Sequence, residues 1–189
     1  MDDLYSFVYR GVLAEASLDK AGRRRIRGFG KEEQNSLAKA LSMEMLDQDC
    51  IASAQRMSVV YTAIHAFENM VRELVVATLA EKHDAEWWSK VPERIRKKVG
   101  NRKEEEAKFR WHGARGTSDI NYCDFGDLSS IIVSNWVDFE DILHSLEWVK
   151  GILNTLEKSR NIVMHGGSMD KEDIERVGVN IRDWVRQAG

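Results

Sequence analysis

The chain has 189 residues, of which 43% are hydrophobic and 31% charged, so it suits one domain or one domain with an appendage. The formal net charge of −3 excludes a uniformly basic nucleic-acid-binding protein, and binding of that kind would need a local patch. No apolar run approaches the ~20 residues of a membrane span. The start of the sequence also lacks the basic region and apolar run of a signal peptide. We therefore expect a cytoplasmic protein with no membrane partner.

The two cysteines, Cys50 and Cys123, match no metal-ligand spacing, so we expect free thiols, no metal and no cofactor.

The distribution of proline favours helices. Pro92 is the single proline of the chain, which leaves long stretches free of the strongest helix breaker. In the first part of the chain we predict helices over 3–19 and 32–46. They form an N-terminal helical appendage over residues 1–45, and residues 46–189 form the main body. The alternative is one single domain over the whole chain.

The first strongly amphipathic helix is predicted from Ile51 to about Lys82. Its apolar residues recur every three or four positions, as one buried helix face requires. They are Met57, Val60, Ile64, Phe67, Val71, Leu74 and Ala77. Glu68 and Arg72 stand four residues apart, close enough to pair on such a helix. We interpret His65, next to the stripe, as structural.

A locally basic segment follows, since residues 93–110 hold eight basic and four acidic side chains. Pro92 suits the start of a helix here. Its cations could contact RNA phosphates, with Trp111 and His112 beside them for stacking on bases, although a solvated surface helix explains the same pattern. The candidate RNA-binding residues are Arg94, Arg96, Lys97, Lys98, Arg102 and Lys103. The basic turn Arg23–Arg27 is either a further RNA contact or an ordinary turn.

The C-terminal part continues the helical pattern. The run 128–137 fits a helix or a buried strand, and its helical surroundings favour a helix. A long helix should begin at Asp138 or Phe139 and run toward Met164, where two glycines stop it. Its stripe comprises Phe139, Leu143, Leu146, Val149, Leu153 and Leu156. Ser168 or Asp170 can cap a last helix, with Ile174, Val177, Ile181, Trp184 and Val185 on its apolar face. The sequence therefore predicts an all-α, antiparallel helical bundle.

Chemistry is suggested by Arg160 and His165. Arg160 falls where the stripe calls for a core residue, and its guanidinium needs an anionic partner or water there. A structural ion pair with Glu68, or an arginine at a helix end that reaches solvent, would also explain it. Five helical residues turn by ~500°, so Arg160 and His165 would lie ~140° apart on a straight helix. They share one ligand only if the helix ends near Met164 or a second subunit supplies the missing half.

The string Arg160-Asn161-x3-His165 resembles the R-x4-6-H motif of the HEPN superfamily, with its usual polar residue after the arginine. The earlier string from Phe67 to Leu74, followed by Trp87-Trp88, is similar to the SWT-type branch of that superfamily. The resemblance covers roughly residues 45–189.

This resemblance implies a metal-independent endoribonuclease that works as a homodimer, with both motifs lining one cleft. Arg160 would stabilise the phosphoryl charge, His165 would act as general base or acid, and Asn161 would position either group. Glu68 and Arg72 would be supporting residues. The expected partners are RNA and a second copy, and an antitoxin or a larger defence protein is a further candidate. The alternatives are a non-catalytic HEPN module that dimerises, binds RNA or docks to a partner, and an unrelated helical adaptor.

Overall fold

The computed structural model divides into two compact units, Met1–Asp47 and Gln48–Gly189. It describes residues 10–11, 13–14, 17–18, 30–109 and 111–188. The basic turn Arg23–Arg27 lies outside the described residues, as do Leu4, Val8 and Val12 of the first predicted helix.

In the first unit, helix α1 covers Lys31–Ala40 and a 3-10 turn covers Met43–Met45. The sequence predicts one helix as far as Leu46, but the helix ends earlier. Ser42 has a φ of 51°, a left-handed conformation that a continuing α-helix does not contain.

The described residues of the second unit form six α-helices and two 3-10 turns. The helices are α2 (Gln48–His83), α3 (Glu93–Ala107), α4 (Phe125–Ser134), α5 (Trp136–Leu143), α6 (Leu146–Met164) and α7 (Lys171–Ala188). The 3-10 turns are Asp84–Lys90 and Asp119–Tyr122. The described residues contain no strand, and the predicted all-α class is confirmed. No described helix has the length and apolar character needed to cross a bilayer.

The core of the second unit forms where α2 packs against α4, α6 and α7. The predicted stripe of α2 is buried from Val60 to Val71. Beyond that point the buried face continues through Val75 and Leu79, and Ala77 is exposed. Residues spaced four apart do not lie exactly above one another, so the buried face winds slowly around this long helix. The helix therefore contacts different neighbouring helices along its length.

Trp184 of α7 anchors the last helix and is only 1% exposed. Its ring meets Phe67 edge-on at 5.4 Å between centroids and stacks on Trp148 at 5.6 Å. Truncating such a residue to alanine typically costs about 3–5 kcal/mol. At the ends of the same predicted apolar face, Ile174 and Val185 are exposed.

The predicted continuous helix from Phe139 to Met164 is wrong. Helix α5 ends at Leu143, His144 adopts a φ of 54°, and Ser145 caps α6 by accepting a hydrogen bond from the Trp148 N–H at 3.3 Å. The apolar spacing runs on across the break because both helices bury their stripes in the same core. Ser145 could have indicated this break in the sequence, because serine is preferred at the N-cap of a new helix.

Candidate active site

A polar cleft of about 570 Å³ lies beside the apolar core of the second unit. One face of α2, the segment 121–124 and Arg160 of α6 form most of its wall. The lining residues are Tyr61, His65, Glu68, Asn69, Arg72, Arg102, Arg115, Asn121, Tyr122, Cys123, Asp124 and Arg160. Four of them are arginines, so the cleft suits an anionic ligand.

Arg160 is half-buried at this cleft and lies four residues after the buried core residue Leu156. Its Nη1 donates to Oδ1 of Asn161 at 3.3 Å, so the residue next to it in sequence orients the guanidinium. Within the part of the chain that the structure describes, no carboxylate lies within ion-pair distance of Arg160. Burial raises the pKa of Glu157, one turn earlier, and the charge of Arg160 opposes that shift. Arg160 is therefore a partly desolvated cation that an external anion can reach.

His165 lies at the end of α6 and outside the residues that line the cleft. The Gly167 N–H donates to the Ile162 carbonyl at 2.8 Å, and the Gly166 N–H donates to the Val163 carbonyl at 3.2 Å. With Gly166 at a φ of 76°, this is a Schellman motif, which fixes the backbone on both sides of His165. The histidine side chain is exposed. One subunit thus does not bring Arg160 and His165 into a common cleft.

Glu68 and Arg72 pair with each other, as their spacing predicts, at 2.9 Å between Oε1 and Nη2. The predicted alternative of a Glu68–Arg160 ion pair is wrong. Arg72 also donates to the backbone carbonyls of Ile120 at 3.2 Å and Cys123 at 3.1 Å. This arginine therefore fastens the segment 119–123 to α2 and forms the floor of the cleft.

Tyr61, His65 and Asn69 form a part of the cleft that was not predicted from the sequence. We interpreted His65 as structural, yet it is exposed and lines the cleft. The three residues stand four apart, so they form a polar stripe on α2 beside Glu68 and Arg72. That regular spacing was the signal that could have found them.

The predicted RNA-binding residues of α3 separate into two groups. Lys98, Arg102 and Lys103 form ion pairs with carboxylates of the segment 119–127, and the Arg96 Nε donates to the Val91 carbonyl. Arg94 lines two surface pockets, and Lys97 is exposed and pairs with Glu93 of its own helix. Four of the six predicted RNA-binding residues therefore hold the fold together.

Asp124 shows how strongly these ion pairs act. Burial by itself would raise the pKa of Asp124, but hydrogen bonds from Arg102 and Lys98 lower it well below its usual range. Asp124 and Asp127 also form a capping box at the start of α4, with bonds of 3.0 and 3.1 Å. The same carboxylates thus start a helix and anchor α3.

A larger groove of about 900 Å³ runs along α3. Its far end is lined by Phe109, Trp111, His112, Gly113 and Arg115. Arg94, Lys97 and Asn101 lie along this groove, and Trp111 lies at its end with 82% of its surface exposed. Arg102 and Arg115 line both this groove and the cleft, so the two depressions adjoin. Glu105 and Glu106 also line the groove, but its five Lys and Arg side chains outnumber them, so it suits an extended anion with a planar group at one end.

The described residues contain no group of three or more His, Cys, Asp or Glu side chains that could hold a metal ion. Neither Cys50 nor Cys123 forms a disulfide. Burial raises the pKa of the Cys123 thiol to about 12, so this residue of the cleft is not a nucleophile at neutral pH.

Comparison with known protein families identifies a family to which this chain is similar. Residues 62–189 match the model of the Swt1-like HEPN family, which is most of the chain and includes the Arg160–His165 string and every lining residue of the cleft except Tyr61. No curated protein and no solved structure matches.

Proposed function

The chain belongs to the Swt1-like HEPN family, and on that premise we propose that it is a metal-independent endoribonuclease whose active site forms across a homodimer. Membership supports a nuclease or RNA-binding module in general. One observation carries the narrower proposal. Arg160 is a half-buried cation that faces a polar cleft, and among the residues that the structure describes its hydrogen-bond partner is the neutral amide of Asn161.

In the proposed reaction the 2′-hydroxyl of the RNA attacks the adjacent phosphorus. A base removes the hydroxyl proton, the O2′–P bond forms, the P–O5′ bond breaks, and an acid protonates the departing O5′. The products are a 2′,3′-cyclic phosphate and a 5′-hydroxyl. Arg160 stabilises the charge that grows on the phosphoryl oxygens, Asn161 holds Arg160, and His165 transfers a proton.

A homodimer supplies the missing half of this site. Because His165 lies outside the cleft of its own subunit, His165 of the partner subunit would complete it. An apolar groove of about 640 Å³ beside the motif, lined by Met57, Val163 and Met164, supports an interface there. Met164, which lines this groove, is 51% exposed, and the interface would cover it.

RNA would reach the site along the groove of α3. Arg94 and Lys97 would contact phosphates, a base would stack on Trp111, and the strand would pass Arg115 into the cleft. We place this activity in the cytoplasm, in phage defence, a toxin system or RNA processing. An antitoxin or a larger defence protein would regulate it.

The test is cleavage of single-stranded RNA with EDTA present. We compare the wild type with Arg160→Ala and His165→Ala, and with Arg182→Ala as a matched control on the exposed side of α7. We expect the first two variants to lose about 10²–10³-fold in rate, as for loss of one transition-state contact, and the control to cleave normally. Equal cleavage by all four proteins would contradict the proposal.

The second candidate is a non-catalytic HEPN module that binds RNA or dimerises. The observation that favours it is the position of His165 outside the cleft. It predicts RNA binding or dimer formation in the wild type without any cleavage product.

A further inference from the structure

Four side chains of α2 form a continuous hydrogen-bonded relay at the edge of the cleft. Arg72 Nη2 donates to Glu68 Oε1 at 2.9 Å, and Arg72 Nη1 donates to Oδ1 of Asn69. The amide nitrogen of Asn69 lies 3.2 Å from Nε2 of His65. The relay therefore runs from a buried carboxylate to an exposed imidazole that lines the same cleft as Arg160.

The donors and acceptors of the relay have only one consistent arrangement. A guanidinium can only donate, so the Asn69 oxygen must face Arg72. The Asn69 NH₂ then faces His65, and an NH₂ group can only donate. Nε2 of His65 must therefore accept, which leaves the ring proton on Nδ1.

The ring of His65 is also held in place. Tyr61 stacks on it with 5.5 Å between ring centroids and 19° between the planes. Among the described residues, no protein group is bonded to Nδ1 of His65. A histidine with one tautomer, one fixed orientation and an open N–H on a cleft wall is prepared for an acceptor on a ligand.

We infer that His65 contacts the phosphodiester of the RNA, donating from Nδ1–H to a non-bridging phosphate oxygen in the cleft that contains Arg160. Arg160 of α6 supplies the positive charge, and His65 of α2 adds a directed, neutral donor to the same cleft. This inference rests on the proposed function for its ligand. It also assigns Glu68, Arg72 and Asn69 as positioning residues for His65.

His65 is not the group that transfers the proton in this arrangement. A protonated imidazole would direct Nε2–H at the Asn69 NH₂, so two donors would face each other without an acceptor. A neutral imidazole that gave up Nδ1–H would become an imidazolate. Proton transfer therefore stays with His165.

Two measurements test the inference. The first is the affinity for a 2′-O-methyl oligoribonucleotide of mixed sequence, which lacks the 2′-hydroxyl and cannot be cleaved. We expect His65→Ala to bind about tenfold more weakly, as for loss of one hydrogen bond to a charged group. Thr62→Ala, an exposed substitution on the same helix away from the cleft, should bind like the wild type.

The second measurement is the tautomer of His65, read from the ¹⁵N shifts of its ring in neutral to alkaline solution. We expect Nδ1–H in the wild type. Asn69→Asp replaces the donor with an acceptor of nearly the same shape, so we expect Nε2–H in that variant. The change should occur without any loss of helix content, because the substituted side chain is partly exposed.

The outcomes separate this inference from the proposed function. Weaker binding by His65→Ala with no cleavage by the wild type supports the inference and contradicts the nuclease. Normal binding and cleavage by His65→Ala contradict the inference and leave the nuclease in place. A wild-type Nε2–H tautomer, or no oligonucleotide binding by the wild type, also overturns the inference.

Discussion

The composite site predicts that two inactive variants restore each other. Arg160→Ala removes the phosphate contact and leaves His165 intact, whereas His165→Ala does the reverse. In a mixed dimer, one cleft combines the intact Arg160 of one subunit with the intact His165 of the partner subunit. The other cleft has lost both residues.

The size of the restoration follows from counting clefts. When equal amounts of the two variants exchange subunits freely, about half of the dimers are mixed. One of the two clefts in each mixed dimer is intact, so we expect about a quarter of the wild-type activity per subunit. Each variant alone should retain only about a hundredth to a thousandth of the wild-type activity.

The assay co-expresses the two variants with different affinity tags, isolates doubly tagged dimers, and follows cleavage of a fluorescent RNA with EDTA present. The doubly tagged dimer should have about half of the wild-type activity, because every dimer is then mixed. The control replaces His165→Ala with the double variant, which has no intact Arg160 to contribute. Restoration in the control, or no restoration in the test mixture, would refute the composite site.

Three further predictions concern stability and binding. Arg72→Ala should lower the free energy of unfolding in urea by about 3 kcal/mol, because Glu68 is then left buried without its partner. Arg160→Ala should lower it by less than about 0.5 kcal/mol. Equal losses in the two variants would contradict the assigned roles. Asp124→Asn should be less stable than the wild type at pH 7. Folding lowers the pKa of Asp124, so the stability that its ion pairs contribute is fully present above about pH 4, the ordinary range of a carboxyl, and is lost as the pH falls further. If urea titrations in acid still show the same stability difference between the two proteins, this prediction is contradicted. Trp111→Ala should weaken binding of the 2′-O-methyl RNA by about 1–3 kcal/mol in fluorescence anisotropy with an unchanged urea midpoint, and unchanged affinity would remove the stacking contact from the RNA path.

Several features of the fold could be read directly from the sequence. The buried positions Val60 to Val71 and the stop after Met164 follow from local rules, since apolar spacing sets a helix face and paired glycines permit a Schellman motif. The same rules failed at His144, where apolar spacing continued across a change of direction. A periodic pattern records which face is buried, and it does not record where the backbone turns.

The residues of the candidate site divide in the same way. Arg160 was identifiable because a charged group interrupted an apolar stripe, and the Glu68–Arg72 pair was identifiable from its spacing. The roles of Lys98 and Arg102 were not, because the carboxylates that bind them lie more than twenty residues away in the sequence. The position of His65 at the cleft could not be predicted for a related reason, since α6 and the segment 121–124 complete that cleft.

By itself, the sequence determined the helical class, the family resemblance and the ~140° that separates Arg160 from His165 on one helix, because each depends on neighbours along the chain. Only the tertiary structure decided which cations bind carboxylates, that Arg160 faces a polar cleft, and that His65 shares it. Those properties depend on distances between segments far apart in the sequence, which packing of the core sets.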